Sequence, residues 1–203
     1  MKEALLRILN FRHACKLFDQ DKKIPGEDLQ YILEAGRLAP SSLGLEHWKF
    51  IVVQTQSLKD ALQKACKDQP QLGTCSDAVV ILAKKAELAP GGAYVTAQFK
   101  RLALPQEEYD ELVEFYKELA QKIDLTAWSI TQCHIAAAHI MLAAAAIGID
   151  SCPIGGFDPE QVKEVLHIDG AYYAVALIVP LGYRKHPQPP RHRLPMEALV
   201  EYR

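Results

Sequence analysis

The stretch IAAAHIMLAAAAIGI, residues 135–149, constrains the fold more than any other part of the chain: apart from His139 it offers water nothing but apolar side chains. Such a run must be covered. It is interrupted by His139 and shorter than the roughly 20 residues a membrane-spanning helix needs. The expectation is therefore a buried helix over 127–147, ended by Gly148, whose many alanines allow another helix to come close. The partners for that surface are legible elsewhere. KFIVVQ (49–54), AVVILA (78–83) and YAVALIVPLG (173–182) are continuously apolar, as in strands covered on both faces. Leu29, Ile32, Leu33 and Gly36 fall on one helical face before Pro40 stops the helix, and Ser57 is placed to cap a second helix with Leu58, Leu62, Ala65 and Cys66 inward.

Residues 105–123 open with Pro105 at a first helical position and carry Tyr109, Leu112, Tyr116 and Leu119 along one stripe. Asp158, Pro159 and Gln161 supply the cap, first position and reciprocal capping partner of another helix. Together these elements predict an α+β fold, a three-layer α/β/α arrangement with helices flanking a mixed sheet, in a single domain over 1–203. After Gly182 the chain turns proline-rich and cannot form a central element, so 183–203 reads as a tail. Neither this tail nor the alanine-rich helix has enough partners in one subunit, which points to a homodimer.

A net charge of −2 with no polybasic tract excludes the sustained cation array that nucleic acid requires. The five cysteines, at 15, 66, 75, 133 and 152, form no CxxC pair, so neither a disulfide framework nor a zinc ribbon is indicated and a reducing cytoplasm is expected. MKEALLRILN is too charged for a secretory signal. No membrane segment is expected.

Several stretches carry chemistry. NFRHACKLFDQ (10–20) sets Arg12, His13 and Lys16 against Leu17 and Phe18, which suits either the end of a preceding helix, where cations complement the macrodipole, or a site where an anion meets an apolar wall. PSSLG (40–44) places Ser41, Ser42 and Gly44 between a helix and a strand, where hydroxyls and exposed amides can hold a polar ligand edge or simply stop the helix. In DSCPIGGFDPEQ (150–161), Gly155 and Gly156 let the backbone approach a flat ligand, or make a plain turn, and Cys152 is either a nucleophile or a buried small residue. Cys133, His134 and His139 resemble a ligand set, but residues five apart on a helix point about 140° away from one another, so no metal is expected. PRHRLP (190–195) spaces Arg191 and Arg193 to project to one side of an extended chain, a geometry suited to clamping phosphate. Neither a dinucleotide-binding glycine fingerprint nor a phosphate-binding P-loop sequence is present.

Taken together and in order, RHACKLFD, ARLAPSSLGLEHWKFIVV, DSCPIGGFDPEQV and PRHRLP resemble the nitroreductase family of FMN-dependent, NAD(P)H-oxidising enzymes. The resemblance implies an intertwined homodimer with FMN at its interface and the tail 183–203 wrapped around the partner. By that resemblance Arg12, His13, Arg191 and Arg193 hold the phosphate and ribityl chain, and Lys16 sits under the pyrimidine end of the flavin ring. Pro40, Ser41, Ser42 and Gly44 reach FMN from the partner subunit, Gly44 standing where the family commonly has Asn. The amides of Gly155 and Gly156 face the N5 region, and KDQPQL (67–72) touches the pyrimidine edge through Gln71 and Asp68, the latter in place of a usual Asn. The implied activity is electron transfer from NAD(P)H to nitroaromatics, quinones or similar flat acceptors by a ping-pong cycle. The flavin does the chemistry, so no side chain is assigned as a catalytic acid or base, and Tyr109, Phe115 and Tyr116 are candidates to shape the acceptor pocket. Two other functions fit parts of the sequence: a thiol-dependent hydrolase or transferase using Cys152 or Cys133, and a flavin-binding protein without turnover.

Overall fold

In the computed structural model, which describes residues 1–203, the apolar runs form one sheet. Its strands are β1 (Trp48–Val53), β2 (Asp77–Lys84), β3 (Asp150–Ser151) and β4 (Tyr173–Gly182), in the order β1-β2-β4-β3. Every residue of β2 is buried, as expected of a central strand with both faces covered. The ladders are all antiparallel. The parallel character expected of a mixed sheet is confined to one bridge, between Ala14 and Ser151. Burial on both faces requires only helices on both faces, and these cover an antiparallel sheet equally well.

Alternation along β2 feeds two cores. Val79, Ile81 and Ala83 join Ile32, Ala136, Ile140 and Ala144 on one face, which is covered by helices α2 (Gly26–Arg37) and α7 (Leu125–Ala146). Ala78, Val80 and Leu82 join Leu62, Ala65, Leu72 and Val162 on the other, under α3 (Gln56–Ala65), α4 (Pro70–Thr74) and α8 (Pro159–Leu166). The result is the expected α/β/α layering. A third, smaller cluster of Leu45, Leu88, Val95, Phe99 and Tyr116 ties α5 (Ala93–Lys100) and α6 (Gln106–Lys122) to the side of the domain. Helix α1 (Lys2–Phe11) buries no residue and exposes Leu5, Leu6 and Leu9.

The alanine-rich helix begins at Leu125, where the Asp124 carboxylate accepts from the backbone N–H groups of Thr126 and Ala127 at 2.8 and 3.0 Å. At 22 residues it is long and apolar enough to cross a membrane by length and composition, but one side packs on α2 and the sheet. It is not buried all round: Thr131, His134, Ile135, Ala138 and Ala146 face outward. The close approach that its small residues predict occurs at Gly36 of α2, where a Cβ would sit 2.7 Å from Ile140 Cγ1.

Besides α7, which starts two residues before the expected Ala127, two helices start differently from expectation and a third, α8, differs in one capping bond. Thr55, not Ser57, is the N-cap residue of α3. Pro105 is the N-cap residue of α6 and lies one position before its first turn. Asp158 caps α8 as expected, accepting from the N–H groups of Glu160 and Gln161, but Gln161 donates to the Asp158 carboxylate at 3.0 Å instead of capping its backbone. The reason is that the Asp158 N–H already donates to the Ala65 carbonyl at 2.8 Å.

Candidate functional site

The segment after α1 is an extended arm zipped between the sheet edge and the start of the tail. Cys15 N–H donates to the Ser151 carbonyl at 3.1 Å, Lys185 N–H to the Leu17 carbonyl at 3.1 Å and Asp19 N–H to the Tyr183 carbonyl at 2.8 Å. Arg12, His13 and Lys16 thereby acquire fixed positions. Arg12 and His13 share a cleft of about 330 Å³ with Gln188, Arg191 and Arg193. Residues 178 or more positions apart are held across it: Gln188 Nε2 donates to the Asn10 carbonyl at 2.8 Å, and Arg191 Nη2 to the carbonyls of Asn10 and Arg12. Lys16, exposed, lines an adjoining cleft of about 180 Å³ with His13 and Cys15.

No carboxylate lines the arginine cleft. Burial, then the charges of Arg191 and Arg193, push the Arg12 guanidinium pKa down. Arg191 Nε is buried with no hydrogen-bond partner. Guanidinium groups gathered without a counter-charge are suited to an anion brought from outside. The helix-end role also exists: His13 Nδ1 lies 3.4 Å from the Phe11 carbonyl at the end of α1, and Arg191 Nη2 donates to the Asn10 carbonyl of its last turn at 3.2 Å. That imidazole has its pKa pushed down by burial, against the pull of the Phe11 carbonyl.

A second group lies at the edge of β3. Gln71 is 3% exposed, its Nε2 is 3.7 Å from Cys152 Sγ, and its Oε1 is buried without a partner. A Cβ built on Gly155 meets nothing closer than Leu177 Cδ1 at 4.0 Å, so space is open there. Gly156 is held by Gln69, whose Nε2 donates to its carbonyl at 3.0 Å. Asp68 has an exposed side chain on a left-handed residue, φ 54°, and its backbone is engaged by Gln63 alone, its N–H donating to the Gln63 carbonyl at 2.9 Å and its carbonyl accepting from Gln63 Nε2 at 3.4 Å.

Pro40, Ser41, Ser42 and Gly44 line neither cleft. Their loop is rigid in other ways: Ser41 Oγ accepts from the Glu46 N–H at 2.9 Å, and the Ser42 N–H donates to Gln132 on α7 at 3.0 Å. Leu43 and Gly44 both take left-handed conformations, φ 56° and 63°. Beneath them His47 is wholly buried, its Nε2 is 3.4 Å from the Ser42 carbonyl, and burial pushes its pKa down to about 4.

All five cysteines are free and buried. Burial raises the pKa of Cys152 and pushes that of Cys133 up to about 12. Cys152 hydrogen-bonds with Gln71 and the Pro153 carbonyl, and the charges of Lys16 and Arg12 pull its pKa down without outweighing burial; Cys133 hydrogen-bonds with the carbonyls of His47 and Leu82. Neither thiol has a histidine side chain to activate it, which removes the support for a thiol nucleophile. His134 is occupied with the Ile130 carbonyl at 2.8 Å.

The nitroreductase family model matches residues 9–183, from the end of α1 through β4. The chain belongs to the nitroreductase family. Relatives of similar length include YfkO of Bacillus subtilis, provisionally named an NAD(P)H nitroreductase, 37% identical over 218 residues covering 100% of this chain and 98% of the relative. A Staphylococcus haemolyticus protein with the same provisional name is 36% identical over 215 residues, with the same coverage. Among solved structures, the B. subtilis nitroreductase YdfN superposes with a TM-score of 0.87 at 30% identity over the full length of both chains. An Exiguobacterium sibiricum nitroreductase solved in complex with FMN shares the fold, with a TM-score of 0.84 at 23% identity over 98% of this chain and 97% of that one.

In this nitroreductase, then, Arg12, His13 and Lys16 lie inside the matched span, and Arg191 and Arg193 lie beyond it. Sequence reading missed Asp150, Arg184, Gln69 and Gln188. The one available signal was Asp150, an acid between Ile149 and Ser151 at the end of the apolar run, which needs a cation once buried.

Proposed function

We propose that this nitroreductase is an FMN-dependent enzyme that oxidises NAD(P)H and passes the electrons to nitroaromatics, quinones or similarly flat acceptors in a ping-pong cycle. The observation that carries the reading is the cleft of Arg12, Arg191 and Arg193, which contains no acid and leaves Arg191 Nε without a partner. A phosphate monoester supplies the missing charge. The rest of the site fits the remainder of FMN: Gln71 Oε1 is a buried acceptor awaiting a donor, and Gly155 leaves room for a flat ring.

Bound FMN supplies the hydride-accepting and electron-donating chemistry. The chain binds and orients. Arg12, Arg191 and Arg193, with His13, hold the phosphate and ribityl chain, Lys16 brings an ammonium to the pyrimidine end of the ring, and Gln71 accepts from the ring edge. Gly155 and Gly156 offer backbone amides on the N5 side. Asp68 is assigned to the same edge as Gln71 through its side chain, which is exposed like that of Lys16, since its backbone groups are already bonded to Gln63.

The enzyme works as a homodimer, and residues 1–203 are one domain whose tail from 183 wraps the partner. The outward face of α7 and the exposed Leu5, Leu6 and Leu9 of α1 support this, as do the exposed Leu194, Met196, Leu199 and Tyr202 of the tail. So does the loop 40–44, which lies outside the clefts of its own subunit and would be supplied by the other. Five free, buried thiols suit a reducing cytoplasm.

The test is to titrate FMN into the purified chain, reduce it anaerobically with NADH and with NADPH, and reoxidise it with a panel of nitroaromatics and quinones. Reduction by a nicotinamide nucleotide and reoxidation by a flat acceptor are expected. A chain that does not bind FMN overturns the reading, and one that binds FMN but is never reduced is a flavin carrier instead.

A further inference from the structure

We propose that the pair of buried Asp150 and half-buried Arg184 is a positioning device for the anion cleft, clasping the N-terminal arm to the tail so that Arg12 and Arg191 line one site. The inference rests on the FMN reading above. Neither Asp150 nor Arg184 lines the cleft, so both act through other residues.

Asp150 is 4% exposed in the short strand β3. A carboxylate there is costly unless paired, and Arg184 pairs it by hydrogen bonds to Oδ2 and by an ion-pair contact to Oδ1, which is left without a hydrogen bond. Nη2 lies 2.7 Å from Oδ1, and Nε lies 3.0 Å from Oδ2, which also accepts the Arg184 backbone N–H at 2.9 Å. The remaining capacity of the guanidinium reaches both walls of the cleft. Toward the arm, Nη2 lies 3.5 Å from the Phe11 carbonyl and the guanidinium carbon stands 4.2 Å over the Phe11 ring. Toward the tail, Nη1 donates to Gln188 Oε1 at 3.2 Å. Gln188 and Arg191 both continue the chain of bonds to the Asn10 carbonyl. His13 Nδ1, 3.5 Å from Asp150 Oδ1, is drawn to the same carboxylate.

Three arginines repel one another until a ligand arrives. Something must hold them near one another beforehand, and the clasp adds a charged side-chain tie to the backbone bonds that already join arm and tail. For stability alone, an apolar pair of similar volume would often serve as well as a buried ion pair. What an apolar pair lacks is directed donors that fix the register of arm against tail.

The experiment measures dissociation constants of FMN and riboflavin for the full-length apo chain, by flavin fluorescence, in Arg184→Met, Arg184→Lys, Arg191→Ala and the double variant Arg184→Met/Arg191→Ala. Riboflavin lacks the phosphate. Arg184→Met is expected to weaken FMN about tenfold or more, the loss of a charge-assisted hydrogen bond, with riboflavin unchanged. Arg184→Lys, which keeps the charge and loses the planar set of guanidinium donors, is expected to fall between. In the Arg191→Ala background the Arg184 change should add less than about twofold, because it acts through Arg191. Equal weakening of both ligands, or full additivity, overturns the clasp. If Arg184→Met does not fold, Gln188→Leu breaks only the outer tie and should still weaken FMN selectively; unchanged FMN binding there overturns the proposal. FMN binding unaffected by Arg191→Ala would instead remove the arginine cleft itself, a failure of the underlying reading that is distinct from failure of the clasp.

Discussion

Lys16 is exposed beside the cleft that it shares with His13, and its proposed work is electrostatic. Once ligand displaces water from its surroundings, an ammonium stabilises negative charge on the reduced ring far more than water would. Lys16→Met is therefore expected to keep FMN, to lower its two-electron potential by tens of millivolts, at about 1.4 kcal/mol per 30 mV, and to slow reduction by NAD(P)H. Lys16→Arg should be intermediate. Spectroelectrochemistry and stopped-flow reduction check this; an unchanged potential and rate would leave Lys16 as a surface charge. His47 gives a prediction of a different kind. Its folded pKa, about 4, lies below the unfolded value of about 6.5, so the unfolded state takes up protons first as pH falls. Its contribution is complete above about pH 6.5 and is lost between there and about pH 4, on the order of 3 kcal/mol in all. Urea unfolding at pH 7 and pH 4.5 should show this loss in the native chain and a shallower one in His47→Gln.

Among the elements, the crossing of α2 and α7 depends on one missing side chain. A Cβ at Gly36 would meet Ile140 Cγ1 at 2.7 Å and Phe50 Cζ at 3.2 Å, and Ile140 is wholly buried with little freedom to move. Gly36→Ala gains about 1 kcal/mol of helix propensity but overpacks the crossing by about 1–3 kcal/mol, so a net loss in chemical denaturation is expected. Helix α6 divides its aromatic residues by direction. Tyr116 is buried and donates to the Leu88 carbonyl at 2.6 Å, whereas Phe115 is 54% exposed. Tyr116→Ala is expected to cost about 3–5 kcal/mol of stability. Phe115→Ala should leave stability and FMN content intact and change the ranking of acceptors in steady-state assays; an unchanged ranking would remove Phe115 from the acceptor pocket.

For the whole molecule, the proposed dimer and the proposed FMN site share the tail. Removing residues 187–203 deletes Arg191 and Arg193 together with the exposed Leu194, Met196 and Leu199. The truncated chain is expected to release FMN and to sediment as a smaller species than the full-length homodimer. A full-length chain that sediments as an FMN-loaded monomer at micromolar concentration would overturn the dimer, and full FMN occupancy after truncation would overturn the phosphate clamp.

The local code in the sequence determined the layers. Continuous apolar runs made central strands, helical spacing made the covering faces of α2 and α7, and Asp158 and Pro159 opened α8, because each of these depends on neighbours a few residues away. Direction and partnership did not follow. The sheet is antiparallel in its ladders because of how the connections return, which no single run encodes. Ser57 yielded the cap position to Thr55, and Gln161 reached the Asp158 side chain because Ala65 had already taken the backbone N–H. The sequence marked Arg12, His13, Arg191 and Arg193 as candidates by residue type and spacing. That Arg12 and Arg191 share a cleft, and that Asp150 and Arg184 join the segments carrying them, was decided by tertiary structure alone. Residues so far apart in the chain meet only through the tertiary fold, and a salt bridge leaves no periodic trace in the residues between its partners.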